Sequence, residues 1–202
     1  MRIKQIDKCK NYSKKQKRLV NKLKPWNGSF WDNKEVKDLK KELRIYMLKM
    51  QDGRCAYCGN EFGVTSNSEI EHIAAKGGNN RLIYPQFTFT PYNLVLACHL
   101  CNSPVKKGQI KVINRLSINY KSCDFDIIHP YFDNPSDHLL EMIDSDDKGL
   151  IYAYRSEKGL NTLKMFSLNN EVQIKHRTME AIYSEISPEN KEKMLAAYMY
   201  KI

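Results

Sequence analysis

Apolar positions recur in different rhythms along the chain, and each rhythm predicts an element. In "KNYSKKQKRLVNKLK", Leu19, Val20 and Leu23 form a short helical stripe among lysines, with Ser13 opening the helix. After "PWNGSFW", a loop with aromatic anchors, Val36, Leu39, Leu43, Tyr46, Met47 and Met50 return at helical spacing, so a second helix is expected. Asp32 and Glu35 read as its N-cap signature, and Asp52-Gly53 as its end. Ser68 to Ile73 has strand character, Ala74 to Asn80 reads as a loop, and Leu94 to Ala97 as a short apolar strand with a helix starting near Cys98 or His99. Further on, "DIIHPYFDNPSDHLLEMI" predicts a turn at Asn134-Pro135 and a helix capped by Ser136, "GLIYAY" predicts a strand, and "NTLKMFSLNNEVQIKHRTMEAIYSEI" gives helical patterns. A last helix is expected with Ser187 at N-cap and Pro188 at N1. The expected fold class is α+β, in three stretches: basic helices over 1–50, a compact core over 51–112, and a mainly helical region suited to partner docking over 113–202.

Composition narrows what this pattern can build. With 202 residues, 42% hydrophobic and 28% charged, the chain can bury one sizeable core with an appendage, or two small domains. No run approaches the roughly 20 apolar residues of a membrane span, and "MRIKQIDKCK" lacks a signal-peptide stretch, so a cytoplasmic, membrane-free protein is expected. Charge is unevenly spread: residues 1–50 hold 16 Lys or Arg against 5 Asp or Glu, and the other 152 hold 17 against 18. Lys14, Lys15, Lys17 and Arg18 are therefore candidate phosphate contacts, the alternatives being a solvated helix face or an acidic protein surface. The Met and Tyr residues of the second helix read as core.

Six cysteines change the picture further. In a reducing compartment, Cys-x-x-Cys pairs hold metal more often than they form disulfides. "CAYCG" and "CHLC" place Cys55, Cys58, Cys98 and Cys101 as two ligand pairs for one tetrahedral zinc, a closed structural site. His99, between the second pair, reads as a surface or packing residue. The long gap between the pairs implies an insertion, and that insertion carries Glu69, Glu71, His72 and Lys76.

The order Glu71-His72, Asn93, Asn102 with the four cysteines resembles the HNH endonucleases over roughly residues 52–108. The resemblance implies a ββα-metal fold and hydrolysis of DNA phosphodiesters. It assigns a catalytic Mg2+ or Mn2+ to Glu71 and Asn102, the general base to His72, bracing of the histidine or its loop to Asn93, and a phosphate contact to Lys106 or Lys107; Lys76, in the loop after His72, is a further candidate nucleic-acid contact. Two departures stand out: Glu replaces the usual Asp before the histidine, and the lysines come four and five residues after Asn102, where the family commonly has one at three. Neighbours on a strand point to opposite faces, so Glu71 and His72 can share a site only where the strand ends or bulges. Glu69 shares the face of Glu71 and reads as solvated or as added charge. Asp137-His138 and His129 read as structural.

"HPYFDNPSDHL", "SEKGLNTLKMFSLN" and "KHR" are also similar to the C-terminal portion of HNH nucleases of Septu and retron anti-phage systems, which implies an ATPase subunit as partner. No small-molecule cofactor is expected. The competing readings are a non-catalytic zinc-stabilised nucleic-acid-binding module, and a free-standing phage or restriction nuclease or one acting on RNA.

Overall fold

The structure, a computed structural model, describes residues 1–63, 66–78, 81–145 and 149–200. The first residues run extended and are tied down: Ile3 and Ile6 are buried, and the Ile6 amide donates to Pro130 O at 2.8 Å. Helix α1 (Lys14–Lys22) begins as its sequence predicts, with Ser13 accepting from the Gln16 amide while the Gln16 side chain accepts from the Ser13 amide. Val20 turns inward and Lys14, Lys15, Lys17 and Arg18 are exposed.

Helix α2 (Lys37–Met50) starts later than expected, because two 3-10 turns (Gly28–Asp32 and Lys34–Val36) occupy the preceding residues and turn Trp31 and Val36 inward. Asp32 therefore caps nothing; its carboxylate faces Lys40 at 3.4 Å and Lys76 at 4.0 Å. Leu39, Leu43 and Met47 form the buried stripe of α2. The helix ends at Asp52 and Gly53, both in the left-handed region, with the Gly53 amide returning to Leu48 O.

Next come β1 (Ser68–His72), β2 (Gly77–Gly78), β3 (Arg81–Leu82), β4 (Leu94–Cys98) and a single-turn helix α3 (His99–Asn102). Strands β1 and β4 pair antiparallel, Ser68 opposite Cys98 and His72 opposite Leu94. The expected loop after β1 is described as far as Gly78, where β2 pairs with β3; Asn79 and Asn80 lie outside the described residues. The continuous apolar run of β4 follows from burial on both faces. Leu94 and Leu96 join α2 and Trp31 in one cluster, and Val95 and Ala97 join the cysteine knuckles in another.

The remaining elements are β5 (Ile113–Arg115), β6 (Asp124–Phe125), α4 (Pro135–His138), β7 (Leu139–Ile143), β8 (Leu150–Tyr154), α5 (Glu157–Phe166), α6 (Glu171–Glu185) and α7 (Pro188–Met199). Two expectations fail here. Asn134, not Ser136, caps α4, its side chain accepting from the Ser136 amide. "LLEMI" is a strand, paired with β8 from Leu139 opposite Tyr154 to Ile143 opposite Leu150, so the region after 113 is helices built around hairpins. Ser187 caps α7 with Pro188 in its first turn, as expected. One buried cluster runs from Ile3 through the cysteines to Leu168, so packing is continuous across 50/51 and 112/113. Among the described residues no helix is long and apolar enough to cross a membrane.

Candidate active site and zinc centre

The first knuckle hangs on β4, with the Ala56 amide donating to Leu96 O at 3.0 Å. Gly59 closes it at φ +73°, with Arg2 packed so near that a Cβ would lie 2.9 Å from the Arg2 Cβ. The sulfurs of Cys55, Cys58, Cys98 and Cys101 lie within 4.8 Å of one another. Cys58 and Cys98 Sγ are 3.9 Å apart, near the ~3.8 Å edge of a tetrahedron with Zn–S bonds of about 2.3 Å. All six cysteines are free thiols. Four convergent thiols, three of them buried, fit a zinc ion. The ring of His99 turns away from them, its Nδ1 2.8 Å from Glu69 Oε1.

Beside the hairpin lies a cavity of about 310 Å³ lined by Trp31, Asp32, Glu71, His72, Lys76 and Asn102 among others. Glu71 and His72 share it because β1 ends at His72 and the chain turns at once, the Ile73 amide donating to Asn93 O at 2.9 Å. His72 Nε2 lies 3.0 Å from Thr88 O. A carbonyl only accepts, so this nitrogen carries the proton and Nδ1 keeps a lone pair. Burial, then the Lys76 charge, pulls the imidazole pKa down to about 3, so the ring is neutral. The edge of Trp31 meets it at 4.7 Å between ring centroids.

Glu71 is buried, and burial raises its carboxyl above the usual range while Lys107 opposes that rise. The Lys107 ammonium, wholly buried, donates to Glu71 Oε1 and to His72 O. As placed, Lys107 is an internal counter-ion with no path to a phosphate. Lys106 is likewise engaged, donating to Phe166 O at 2.5 Å. Of the three lysines in this part of the chain, Lys76 lines the cavity, its ammonium weakened by burial.

Asn93 is fully buried and clamps the loop after His72. Its Oδ1 accepts from the Ala74 amide at 2.6 Å and from Tyr120 OH at 2.8 Å, and its Nδ2 donates to Ala74 O and Phe87 O at 3.0 Å. Tyr120 OH in turn contacts His129 Nε2 at 3.0 Å. The Tyr131 amide donates to His129 Nδ1 at 3.2 Å, which leaves the proton on Nε2 and makes it the donor to Tyr120. Asn102 Nδ2 donates to Glu69 Oε2 at 2.6 Å.

The cavity thus gathers Glu71, His72, Asn102 and Lys76, while Asn93 stands behind it and Lys14, Lys15, Lys17 and Arg18 lie on the surface of α1. Sequence reasoning missed Asp32 and Trp31 as cavity walls, Thr88 as the anchor of His72, and Tyr120 with His129 as props of Asn93. Spacing carries no signal for these, since each meets its partner only through the tertiary fold.

No family model and no solved structure matches the chain. Two curated proteins are similar to it: Septu protein PtuB of Bacillus mycoides (strain KBAB4), 28% identical over 153 residues, and Protein ea31 of Escherichia phage lambda, 32% identical over 101 residues. These matches cover 69% and 48% of this chain but 50% and 28% of the relatives, so it spans half their length or less. The chain is an α+β protein with a four-cysteine centre fit for zinc, a cavity at the end of β1 that gathers Glu71, His72, Lys76 and Asn102, and a likeness to a Septu protein.

Proposed function

We propose that the chain is an HNH-type endonuclease that hydrolyses DNA with the help of a divalent cation. The observation that supports this most is the convergence of Glu71, His72, Lys76 and Asn102 on one cavity, with the imidazole Nδ1 free of any protein partner among the described residues. His72, held through Nε2–H by Thr88 O, takes a proton from water at Nδ1. Lys107 occupies Glu71 Oε1, which leaves the other carboxylate oxygen and Asn102 Oδ1 as the oxygens for Mg2+ or Mn2+. A bound cation would stabilise charge on the departing oxygen. Lys76 offers its ammonium to a phosphate oxygen, and Asn93 keeps the loop bearing it in place through Ala74. The four cysteines, loaded with zinc, hold the single turn that carries Asn102.

The likeness to Septu protein PtuB, together with the resemblance of the C-terminal stretches to Septu and retron nucleases, supports a role in anti-phage defence beside an ATPase subunit. The exposed Lys14, Lys15, Lys17 and Arg18 suit a DNA backbone.

A plasmid-cleavage assay with Mg2+ or Mn2+ and with chelator tests the reading. Cleavage should need the cation, and His72→Ala should lose about 100-fold or more of it while zinc content stays at one ion. A His72→Ala chain that cuts near the parent rate refutes the mechanism. The buried Lys107–Glu71 pair favours one other reading, a zinc-stabilised nucleic-acid-binding module whose carboxylate is already neutralised. Tight DNA binding without cleavage under any divalent cation would establish that module instead.

A further inference from the structure

Asn102 lines the cavity, and its amide nitrogen is held by Glu69. Its Nδ2 lies 2.6 Å from Glu69 Oε2, and His99 Nδ1 lies 2.8 Å from Glu69 Oε1. An ionised carboxylate can only accept, so it receives hydrogens from both residues and fixes which way the Asn102 amide faces. With the nitrogen held by Glu69, Oδ1 is the atom left for the cavity, and it is the oxygen that a hard cation requires. Glu69 itself is not among the residues lining the cavity, although it sits two positions before Glu71 on the same face of β1. Glu69 holds Asn102 from outside the cavity, which Glu71 and Asn102 both line.

The local structure explains why such a clamp is needed. Helix α3 is one turn long, and Asn102 is its last residue. A single turn fixes few dihedrals against its own entropy and leaves a terminal side chain free to rotate. Either face of an amide would satisfy a solvated position, and only one serves a cation.

We infer that Glu69 is a positioning residue for the divalent-cation site: it grips the amide nitrogen of Asn102, turns Oδ1 toward Glu71, and is itself steadied by His99. This rests on the HNH reading above, since it presumes a cation between Glu71 and Asn102. Outer partners that orient a ligand typically contribute about 10–100-fold to metal affinity.

The test is Mn2+ binding to the zinc-loaded full chain, followed by the electron paramagnetic resonance of free Mn2+, with zinc content and circular dichroism as controls. Glu69→Ala should weaken Mn2+ binding about 10-fold, whereas Glu69→Gln, whose amide oxygen still accepts from Asn102, should stay within about 3-fold of the parent. In an Asn102→Ala background, Glu69→Ala should add nothing, because its effect runs through Asn102. Three results overturn the inference: Glu69→Ala binding like the parent, Glu69→Ala weakening the Asn102→Ala chain further, which makes Glu69 a direct ligand, or Glu69→Gln losing as much as Glu69→Ala. If the first occurs while Glu71→Ala abolishes Mn2+ binding, the HNH reading stands and the positioning role alone falls. A parent chain that binds no Mn2+ overturns both.

Discussion

Replacing Lys107 by methionine keeps much of the side-chain volume and removes the charge. In the parent, the ammonium is wholly buried and serves two acceptors, Glu71 Oε1 and His72 O. Its loss strands a carboxylate that is only 5% exposed and a backbone carbonyl. Removing one partner of a buried ion pair costs about 3–5 kcal/mol, and the lower end applies here because Glu71 borders a cavity that water can enter. That is a large share of the about 5–15 kcal/mol that a typical domain has in total. Urea unfolding of the zinc-loaded chain measures it. Burial raises the folded-state pKa of Glu71, and without Lys107 the main influence opposing that rise is gone, leaving the backbone hydrogen bond from His72. The folded variant therefore binds a proton more readily than the unfolded chain, and its stability increases as pH falls toward the carboxylate range. The gap to the parent should be widest at about pH 7.5 and narrow at about pH 5. A Glu71→Gln change in the variant should recover part of the loss at neutral pH. A Lys107→Met chain within about 1 kcal/mol of the parent at neutral pH, or a gap that widens in acid, would refute the counter-ion role.

Purified without chelator, the chain should carry one zinc by elemental analysis, and Cys58→Ser should lose it together with cooperative unfolding; a Cys58→Ser chain that stays folded with full metal content contradicts the four-thiolate site. Tyr120→Phe removes the hydroxyl between Asn93 and His129 and leaves the buried His129 Nε2–H without an acceptor, a loss of about 1–3 kcal/mol in denaturant unfolding. An unchanged midpoint there would mean that the relay is not made. Charge reversal at Lys14, Lys15, Lys17 and Arg18 should weaken DNA binding on all sequences alike and flatten its salt dependence, measured by fluorescence anisotropy. If instead DNA affinity holds and co-purification with an ATPase subunit is lost, the arm docks protein.

What could be read beforehand was whatever a short window encodes. The opening of α1 at Ser13, the Ser187 cap, the stop at Asp52-Gly53 and the paired cysteines each act within a few residues, and each stands in the structure. Strand β7 was not legible, since Leu, Glu and Met favour helix and only the pairing with β8 makes "LLEMI" extended. The start of α2 was misread because the Asp32–Glu35 spacing ignores the inward pull of Trp31 and Val36 on the preceding turns. At the candidate site, residue types could be nominated from their order, but the direction of a side chain could not. Lys107 points inward to Glu71 and His72 O while Lys106 in the same turn reaches Phe166 O, and the turn closes at Gly108, φ +46°, where a Cβ would lie 2.8 Å from the Pro104 Cα. Nothing in a run of two lysines tells which one will be swallowed.

The buried cluster that begins at Ile3 and closes at Leu168 bears on when this protein can act. The cavity takes walls from Trp31, His72 and Asn102, and the props of its loop come from Tyr120 and His129. Contacts this distant in sequence form late, after long loops have closed. A chain still emerging from the ribosome holds the reactive side chains but not the shape that aligns them. If the cavity cuts DNA, its completion waits on residues made after all of its walls, because Tyr120 and His129 must emerge and fold back before the loop that Asn93 holds is propped.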